Sequence, residues 1–244
     1  MIDKIFLQQY LGALLTGDRR QCRGIIEEIL HRNSASIVSV YSDCIWPIMM
    51  EIDTLYREER ITSAQENLAA RINRTIVDQL QNKLPRQPRI EKKVVVCSSM
   101  RETNELGGQM IVDMFESAGW DVRFLGGGLG NDDVLAFVHE FRPDFLVIYG
   151  TQPAEAAEIR SIIDRIREIN ALPQMKIMLS GGVFGRADGL WEEIGADLFA
   201  KDAIEAVRLA CDESRTGYQP VRTINQRKRK QLAISSQDSL DNDL

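Results

Sequence analysis

Histidine and cysteine are both scarce in this sequence of 244 residues, and neither is arranged as a metal site. The two histidines, His31 and His139, lie far apart, and neither has a second type of metal ligand nearby at helical spacing. Zinc centres need several such ligands close together. The four cysteines form no C-x-x-C pair, which is typical of small buried apolar residues. These residues therefore predict no protein-bound metal site.

The sequence also lacks an excess of positive charge and a long apolar run. Its formal charge is −6, which argues against nucleic-acid binding by the chain as a whole. No apolar run approaches the roughly 20 residues that cross a bilayer. Residues 1–6 do not have the layout of a signal peptide. We therefore expect a cytoplasmic protein that does not engage a membrane.

The first 85 residues predict four amphipathic helices that pack as a bundle, because apolar residues recur at helical spacing between short joints. Asp18 is placed to begin the second helix. Pro47 falls inside the third, where it should kink the helix or mark a new start. Thr62 or Ser63 should begin the fourth, and Glu66 is placed to complete a capping box with Ser63.

From about residue 91 the pattern changes to strands alternating with helices. This pattern predicts a Rossmann-like, doubly wound parallel sheet of the α/β class. The predicted strands are residues 94–99, 122–125, 145–150, 176–180 and 198–200. We divide the chain into a helical cap (1–85), the sheet domain (91–214) and a disordered charged tail (215–244). Ligands of such sheets bind beyond the carboxyl ends of the strands.

Three common functions of such a sheet do not fit the residues at its strand ends. The first strand is followed by SSMR, whereas a dinucleotide-binding domain needs its glycine fingerprint there. The third strand ends in Tyr149 and Gly150, so a phosphorylation receiver would lack its acceptor aspartate. The acidic residues near strand ends, such as Glu105, are not paired with a nucleophile or a base. We therefore predict no enzymatic activity.

Residues 102–107 read ETNELG and follow directly after the first predicted strand. This segment resembles the corrinoid-binding signature D/E-x-H-x-x-G, with Asn104 in place of the histidine. The chain from about residue 5 to 213 is similar to cobalamin-binding modules in which a helical cap precedes the sheet domain. Such modules occur in methionine synthase, in corrinoid proteins of methyltransferases and in MerR-type light-sensing regulators.

The resemblance assigns roles to the residues of this loop. In the family the histidine is the lower ligand of cobalt, and the acidic residue hydrogen-bonds to it and tunes it. Glu102 keeps the acid, but Asn104 is a poor ligand for cobalt. Gly107 completes the signature. The resemblance therefore implies cobalamin as the cofactor, bound without a protein imidazole.

Further resemblances follow the third and fourth strands. Family members usually show S-x-L after the third strand, and the serine faces the nucleotide tail of the cobalamin. Here Tyr149 replaces the serine with a larger phenol, and Thr151 replaces the leucine. Gly181 and Gly182 match the paired glycines after the fourth strand, which allow a ligand tail to approach the backbone closely.

The cap resembles that of the light sensors, where a tryptophan, a glutamate and a histidine cover the upper face of the corrin. This chain has Tyr56, Glu66 and Asn67 in the corresponding segment. The Tyr56 ring is suited to lie on a flat ligand. Asn67 is a second asparagine where the family has a histidine.

The resemblance implies a sensory or regulatory module in which cobalamin fixes the cap on the sheet domain and alters a surface for an unknown protein partner. One alternative is a corrinoid methyl carrier for a separate methyltransferase. Another is a degenerate domain that binds no corrinoid and serves as an interaction scaffold, and haem is a further candidate ligand. Nucleic acid would contact only the basic run at residues 227–230. The sequence leaves open whether copies of the chain form a homo-oligomer.

Overall fold

The fold is described from a computed structural model, which covers residues 2–32, 35–99 and 104–212. Two features predicted from the sequence lie outside these residues. One is Glu102, and the other is the tail predicted from residue 215.

The cap contains the expected four helical segments, and the third is interrupted. The helices are α1 (Lys4–Thr16), α2 (Arg19–Arg32), α3 (Ile37–Val40), α4 (Trp46–Arg57) and α5 (Ser63–Gln81). A π turn at Tyr41–Ile45 joins α3 to α4. Pro47 lies at the start of α4, as the sequence predicted. Because proline has no N–H to donate, the preceding turn cannot close in the regular α pattern, and the chain widens there.

Of the two predicted N-caps of α5, Thr62 is confirmed, but the capping box predicted for Ser63 and Glu66 is wrong by one residue. The N-cap is Thr62, whose backbone is extended and whose side chain accepts a hydrogen bond from the Gln65 N–H at 3.3 Å. Gln65 Oε1 accepts a 2.9 Å hydrogen bond from the Thr62 N–H and completes the capping box. The box satisfies two backbone donors that have no partner within the helix. Glu66 is therefore not a capping residue.

The second half is an α/β domain with five parallel strands in the order β2-β1-β3-β4-β5. This confirms the predicted fold class. The strands are β1 (Lys93–Ser98), β2 (Asp121–Gly126), β3 (Phe145–Tyr149), β4 (Lys176–Ser180) and β5 (Leu198–Ala200). The helices are α6 (Leu106–Ser117), α7 (Asn131–Phe141), α8 (Ala156–Ile169), α9 (Gly182–Arg186), α10 (Leu190–Ile194) and α11 (Ala203–Cys211). The strand order reverses between β1 and β3, which is where ligands of doubly wound sheets bind.

Two hydrophobic clusters fill the interior. The larger one runs without a break from the cap through α6 and α11 to one face of the sheet. The smaller one lies between the other face and helices α7 and α8. The cap therefore packs on the sheet domain through shared apolar core. Among the described helices, none is both long enough and apolar enough to cross a membrane.

Candidate ligand site between the cap and the sheet

A cleft of about 300 Å³ lies between the cap and the carboxyl ends of the central strands. Its walls come from α4, α5, the loop after β1 and the segment after β3. The lining residues are Met49, Met50, Asp53, Tyr56, Ser63, Glu66, Asn67, Ala70, Asn104, Tyr149, Thr151 and Gln152. The cleft thus brings together the predicted cap residues Tyr56, Glu66 and Asn67 with the predicted sheet residues Asn104, Tyr149 and Thr151.

Asn104 occupies the position that the signature gives to a metal-binding histidine. It is half-buried and lines the cleft just before α6 begins at Leu106. Its amide oxygen is a weak donor towards cobalt compared with an imidazole nitrogen. Across the ranges that the structure covers, no group of three or more His, Cys, Asp or Glu side chains is placed to hold a metal ion. The cleft therefore offers hydrogen bonds where the signature would offer a metal ligand.

Tyr149 closes the bottom of the cleft. Its side chain has no exposed surface, and its ring meets the Trp46 ring edge-on, with centroids 6.5 Å apart and an interplanar angle of 78°. Such edge-to-face pairs add about 0.5–1.5 kcal/mol beyond the area they bury. The ring also lies against the backbone of Gly107, where a Cβ atom would overlap it. Tyr149 is thus both a cleft residue and part of the main hydrophobic core.

Gly181 and Gly182, at the start of α9, are not among the residues that line the cleft. Gly181 has a φ of 108°, and its Cα lies directly against the backbone carbonyl of Gly150. A side chain at Gly181 would therefore be strained and would collide with backbone atoms. A Cβ on Gly182 would lie 2.5 Å from Nη1 of Arg186. The groups that lie against these two glycines belong to the chain itself.

Arg186 links the sheet domain to the cap at the edge of the cleft. Its Nη1 donates to Oδ2 of Asp53 at 2.7 Å, and its Nη2 donates to the carbonyl of Thr151 at 2.7 Å. Asp53 also accepts a 3.1 Å hydrogen bond from Nε of Arg57. Neither Asp53 nor Arg186 is predicted from the sequence as a site residue, and the two lie 133 positions apart. No local pattern identifies such a pair.

The cap side of the cleft carries a partly buried acidic group. Burial raises the pKa of Glu66, and the nearby negative charge of Asp53 raises it further. Asn67 uses its amide Nδ2 to donate a 2.9 Å hydrogen bond to the Ser63 carbonyl. Tyr56 keeps 37% of its surface exposed, which leaves its ring accessible. The cap therefore offers an aromatic face and amide groups to a ligand.

A larger cavity of about 550 Å³ lies at the opposite edge of the sheet, where the strands begin. Three of its charged residues, Lys92, Asp144 and Asp197, are engaged in ion pairs or in hydrogen bonds to the backbone. Lys92 pairs with Asp144 at 2.9 Å, and Asp197 accepts a 2.7 Å hydrogen bond from the Ile177 N–H. None of the predicted site residues that the structure describes is among those that line it. The position at the carboxyl ends of the strands, and not the volume, identifies the smaller cleft as the candidate site.

Two family models match the chain, one on each side of this cleft. A model described as a B12 binding domain matches residues 92–208. A second model with the same description matches residues 6–81. Together they span the sheet domain and most of the cap.

The proteins similar to this chain include corrinoid proteins. The dimethylamine corrinoid protein 1 of Methanosarcina acetivorans is 22% identical over 213 residues, which are 86% of this chain and 98% of that protein. The dimethylamine corrinoid protein 3 of the same organism is 24% identical over 164 residues, 66% of this chain and 76% of that protein. The structure of the Methanosarcina barkeri monomethylamine corrinoid protein superimposes with a TM-score of 0.74 at 16% identity, covering 86% of this chain and 98% of that one. This superposition independently establishes the shared fold.

Proposed function

Because the chain belongs to the family of cobalamin-binding (B12-binding) domains with an N-terminal helical cap, we propose that it is a corrinoid carrier protein that serves a separate methyltransferase. The observation that carries this proposal is the cleft between cap and sheet. It gathers Tyr56, Glu66 and Asn67 with Asn104 and Thr151 at the carboxyl ends of the strands. The similar proteins, which are corrinoid proteins named for methylamines, support the carrier role.

The residues that line the cleft fit one part of a corrinoid. Met49, Met50 and the Tyr56 ring supply apolar surface for a flat macrocycle, and the amides of Asn67 and Asn104 suit its peripheral amide groups. A cleft of about 300 Å³ is smaller than a whole macrocycle, so the cap must move outward to admit one. The Asp53–Arg186 contact lies on the boundary that would then open.

A bound corrinoid supplies a cobalt centre that accepts a methyl group and passes it on. The roles of this chain are to bind the macrocycle, to exclude water and to expose one face to a partner. Asn104 contributes a hydrogen bond beside the ligand and not a cobalt ligand. Tyr56 and Met49 cover the ligand from the cap.

The similar proteins are named as dimethylamine and monomethylamine corrinoid proteins, which supports the carrier role over the sensory role inferred from the sequence. A second candidate function is an interaction scaffold that binds no corrinoid. The full burial of Tyr149 beneath the cleft favours it, because that side chain occupies space that smaller residues would leave open. Both candidates require a separate protein partner, and neither assigns the chain a catalytic reaction.

Coelution with a corrinoid tests the carrier proposal against the scaffold. The purified protein is incubated in the dark with hydroxocobalamin or with cobinamide and then separated by gel filtration. The carrier proposal predicts a corrin absorption band at about one equivalent per chain with at least one of the two probes. Protein that elutes without a corrin band from both incubations would rule the carrier out and leave the scaffold.

Two tryptophan substitutions show whether binding uses the cleft. Ala70 lines the cleft and is half-buried, so Ala70→Trp should fill the cleft and abolish coelution. Ala171 is exposed on the far side of the sheet domain, so Ala171→Trp should bind like the unmodified protein. Equal binding by both variants would place the corrinoid elsewhere on the protein.

A further inference from the structure

Three glycines, Gly107, Gly181 and Gly182, have no side chain that would keep a ligand out of the sheet domain. Other groups of this chain already occupy the space beside each of them. Gly107 lies at the start of α6, and the ring of Tyr149 fills the space beside its Cα. A Cβ atom at Gly107 would overlap ring carbons and the phenol oxygen of Tyr149. Gly107 is thus needed for this side chain, and no room is left there for a ligand.

The paired glycines after β4 are covered in the same way. The guanidinium of Arg186 lies over Gly182, with Oδ2 of Asp53 3.6 Å from a Cβ built there. The carbonyl of Gly150 lies over Gly181. A ligand segment that passed these glycines would have to displace Arg186. It would also have to separate the backbone at Gly181 from the backbone at Gly150.

The covering side chains are firmly held. Tyr149 has no exposed surface and packs on Trp46 within the main core cluster. Interiors are packed closely enough that such a ring cannot move without opening a cavity or displacing its neighbours. Arg186 donates hydrogen bonds of 2.7 Å to Asp53 of the cap and to the Thr151 carbonyl of the sheet domain, and the second bond does not depend on the position of the cap. The passage from the cleft into the sheet domain is therefore closed.

We propose that this protein selects corrinoids that lack a lower nucleotide tail, and that Tyr149 with Arg186 determines this selectivity. The inference rests on the proposed carrier function. A corrinoid with a nucleotide tail must either displace Tyr149 from the core or keep its tail folded against the lower face of the ring. A folded tail separates the ring from Asn104 and the floor of the cleft. A corrinoid without the tail meets neither obstacle.

The test compares cobinamide, which has no nucleotide tail, with hydroxocobalamin, which has one. Each is titrated into the purified full-length protein in the dark, and the dissociation constant is followed by quenching of tryptophan fluorescence, because Trp46 adjoins Tyr149. We expect cobinamide to bind at least about tenfold more tightly, a difference of about 1.4 kcal/mol. The absorption spectrum of bound cobalamin should show its base still coordinated to cobalt.

Substitutions at the two covering residues provide the matched comparison. Tyr149→Ser should reduce the preference for cobinamide at least about tenfold and shift bound cobalamin to the base-off spectrum. Tyr149→Phe keeps the ring and should retain the preference for cobinamide. Tyr149→Ser opens a cavity in the core and so lowers the stability of the protein. Arg186→Ala therefore provides a second test of the selectivity without a cavity in the core. Arg186 is partly exposed, and its removal uncovers Gly182 and should reduce the preference in the same direction.

The outcomes separate this inference from the function on which it rests. Equal or tighter binding of cobalamin by the unmodified protein, with a base-off spectrum, would overturn the selectivity and leave the carrier function intact. Failure of both corrinoids to bind would overturn both. A retained preference for cobinamide in Tyr149→Ser and Arg186→Ala would show that neither residue determines it.

Discussion

The phenol oxygen of Tyr41 donates a 2.9 Å hydrogen bond to Oδ2 of Asp113. Tyr41 lies in the π turn of the cap, and Asp113 is a buried residue of α6, so the bond joins the two halves of the protein. Burial raises the pKa of Asp113 to about 7, while the hydrogen bond from Tyr41 opposes that rise. The negative charges of Glu116 on α6 and Asp78 on α5 contribute to this rise in the pKa, and a hydrogen bond with Gln81 of α5 opposes it.

The raised pKa of Asp113 predicts a loss of stability as the pH rises. In the unfolded chain the carboxyl loses its proton near 3.8, whereas in the folded protein it keeps the proton up to about 7. Between these values the folded state binds more protons, so the free energy of unfolding falls with increasing pH. Asp113→Asn should remove this dependence, so that the variant gains on the order of 1–3 kcal/mol relative to the parent from about pH 4.5 to about pH 8. Urea unfolding midpoints at the two pH values measure the gain.

The matched control for this experiment is Asp132→Asn on α7. The Asp132 side chain is 78% exposed, so its substitution should leave the pH dependence of the parent unchanged. An Asp113→Asn variant whose stability follows the same pH curve as the parent would show that Asp113 does not titrate between these values.

Loss of the Asp53 carboxylate should weaken the docking of the cap. Asp53 is 16% exposed and accepts hydrogen bonds from both Arg186 and Arg57. We expect Asp53→Asn to reduce stability by about 1–2 kcal/mol, because it leaves a half-buried guanidinium with a weaker acceptor. It should also speed proteolysis in the connection at residues 82–92 between cap and sheet. Arg165→Gln breaks only an exposed pair with Asp132 and should change neither property.

Gln65 and Glu66, at the start of α5, should contribute differently to the free energy of unfolding. Gln65→Ala removes the capping box and should lower the free energy of unfolding by about 0.5–1 kcal/mol. Glu66→Gln should not lower it, since burial already disfavours the charged form of Glu66. Chemical denaturation of the two variants compares them directly. A larger loss for Glu66→Gln would restore the capping role that the sequence suggested for this residue.

Asn104→His should supply the missing cobalt ligand. The position lies between the end of β1 and the start of α6, on the wall of the cleft. An imidazole there is a better donor to cobalt than an amide. We expect cobinamide to bind at least about tenfold more tightly, with a shifted absorption band that is lost below about pH 6 as the imidazole is protonated. Asn131→His on α7 should change neither the affinity nor the spectrum.

The sequence predicted the fold because the apolar patterns of both halves are local and regular. The five strands and the bundle of cap helices each have their own periodicity. The grouping of Asn104 with Tyr149 could also be predicted, since Asn104 lies in the loop after β1, Tyr149 ends β3, and the carboxyl ends of these neighbouring strands meet at one edge. By contrast, the Asp53–Arg186 and Tyr41–Asp113 contacts depend on how the cap packs on the sheet, and no sequence spacing encodes that packing. The capping error arose because Gln65 and Glu66 are both chemically suited to the role.

Hydrogen exchange of the protein with and without cobinamide tests most directly whether the cleft between cap and sheet is the ligand site. The account predicts slower exchange in α4, in the first turns of α5 and in the segment after β3 that contains Thr151. Exchange at the opposite edge of the sheet, around Lys92 and Asp197, should not change. Protection confined to that opposite edge, or no protection at saturating cobinamide, would contradict the account.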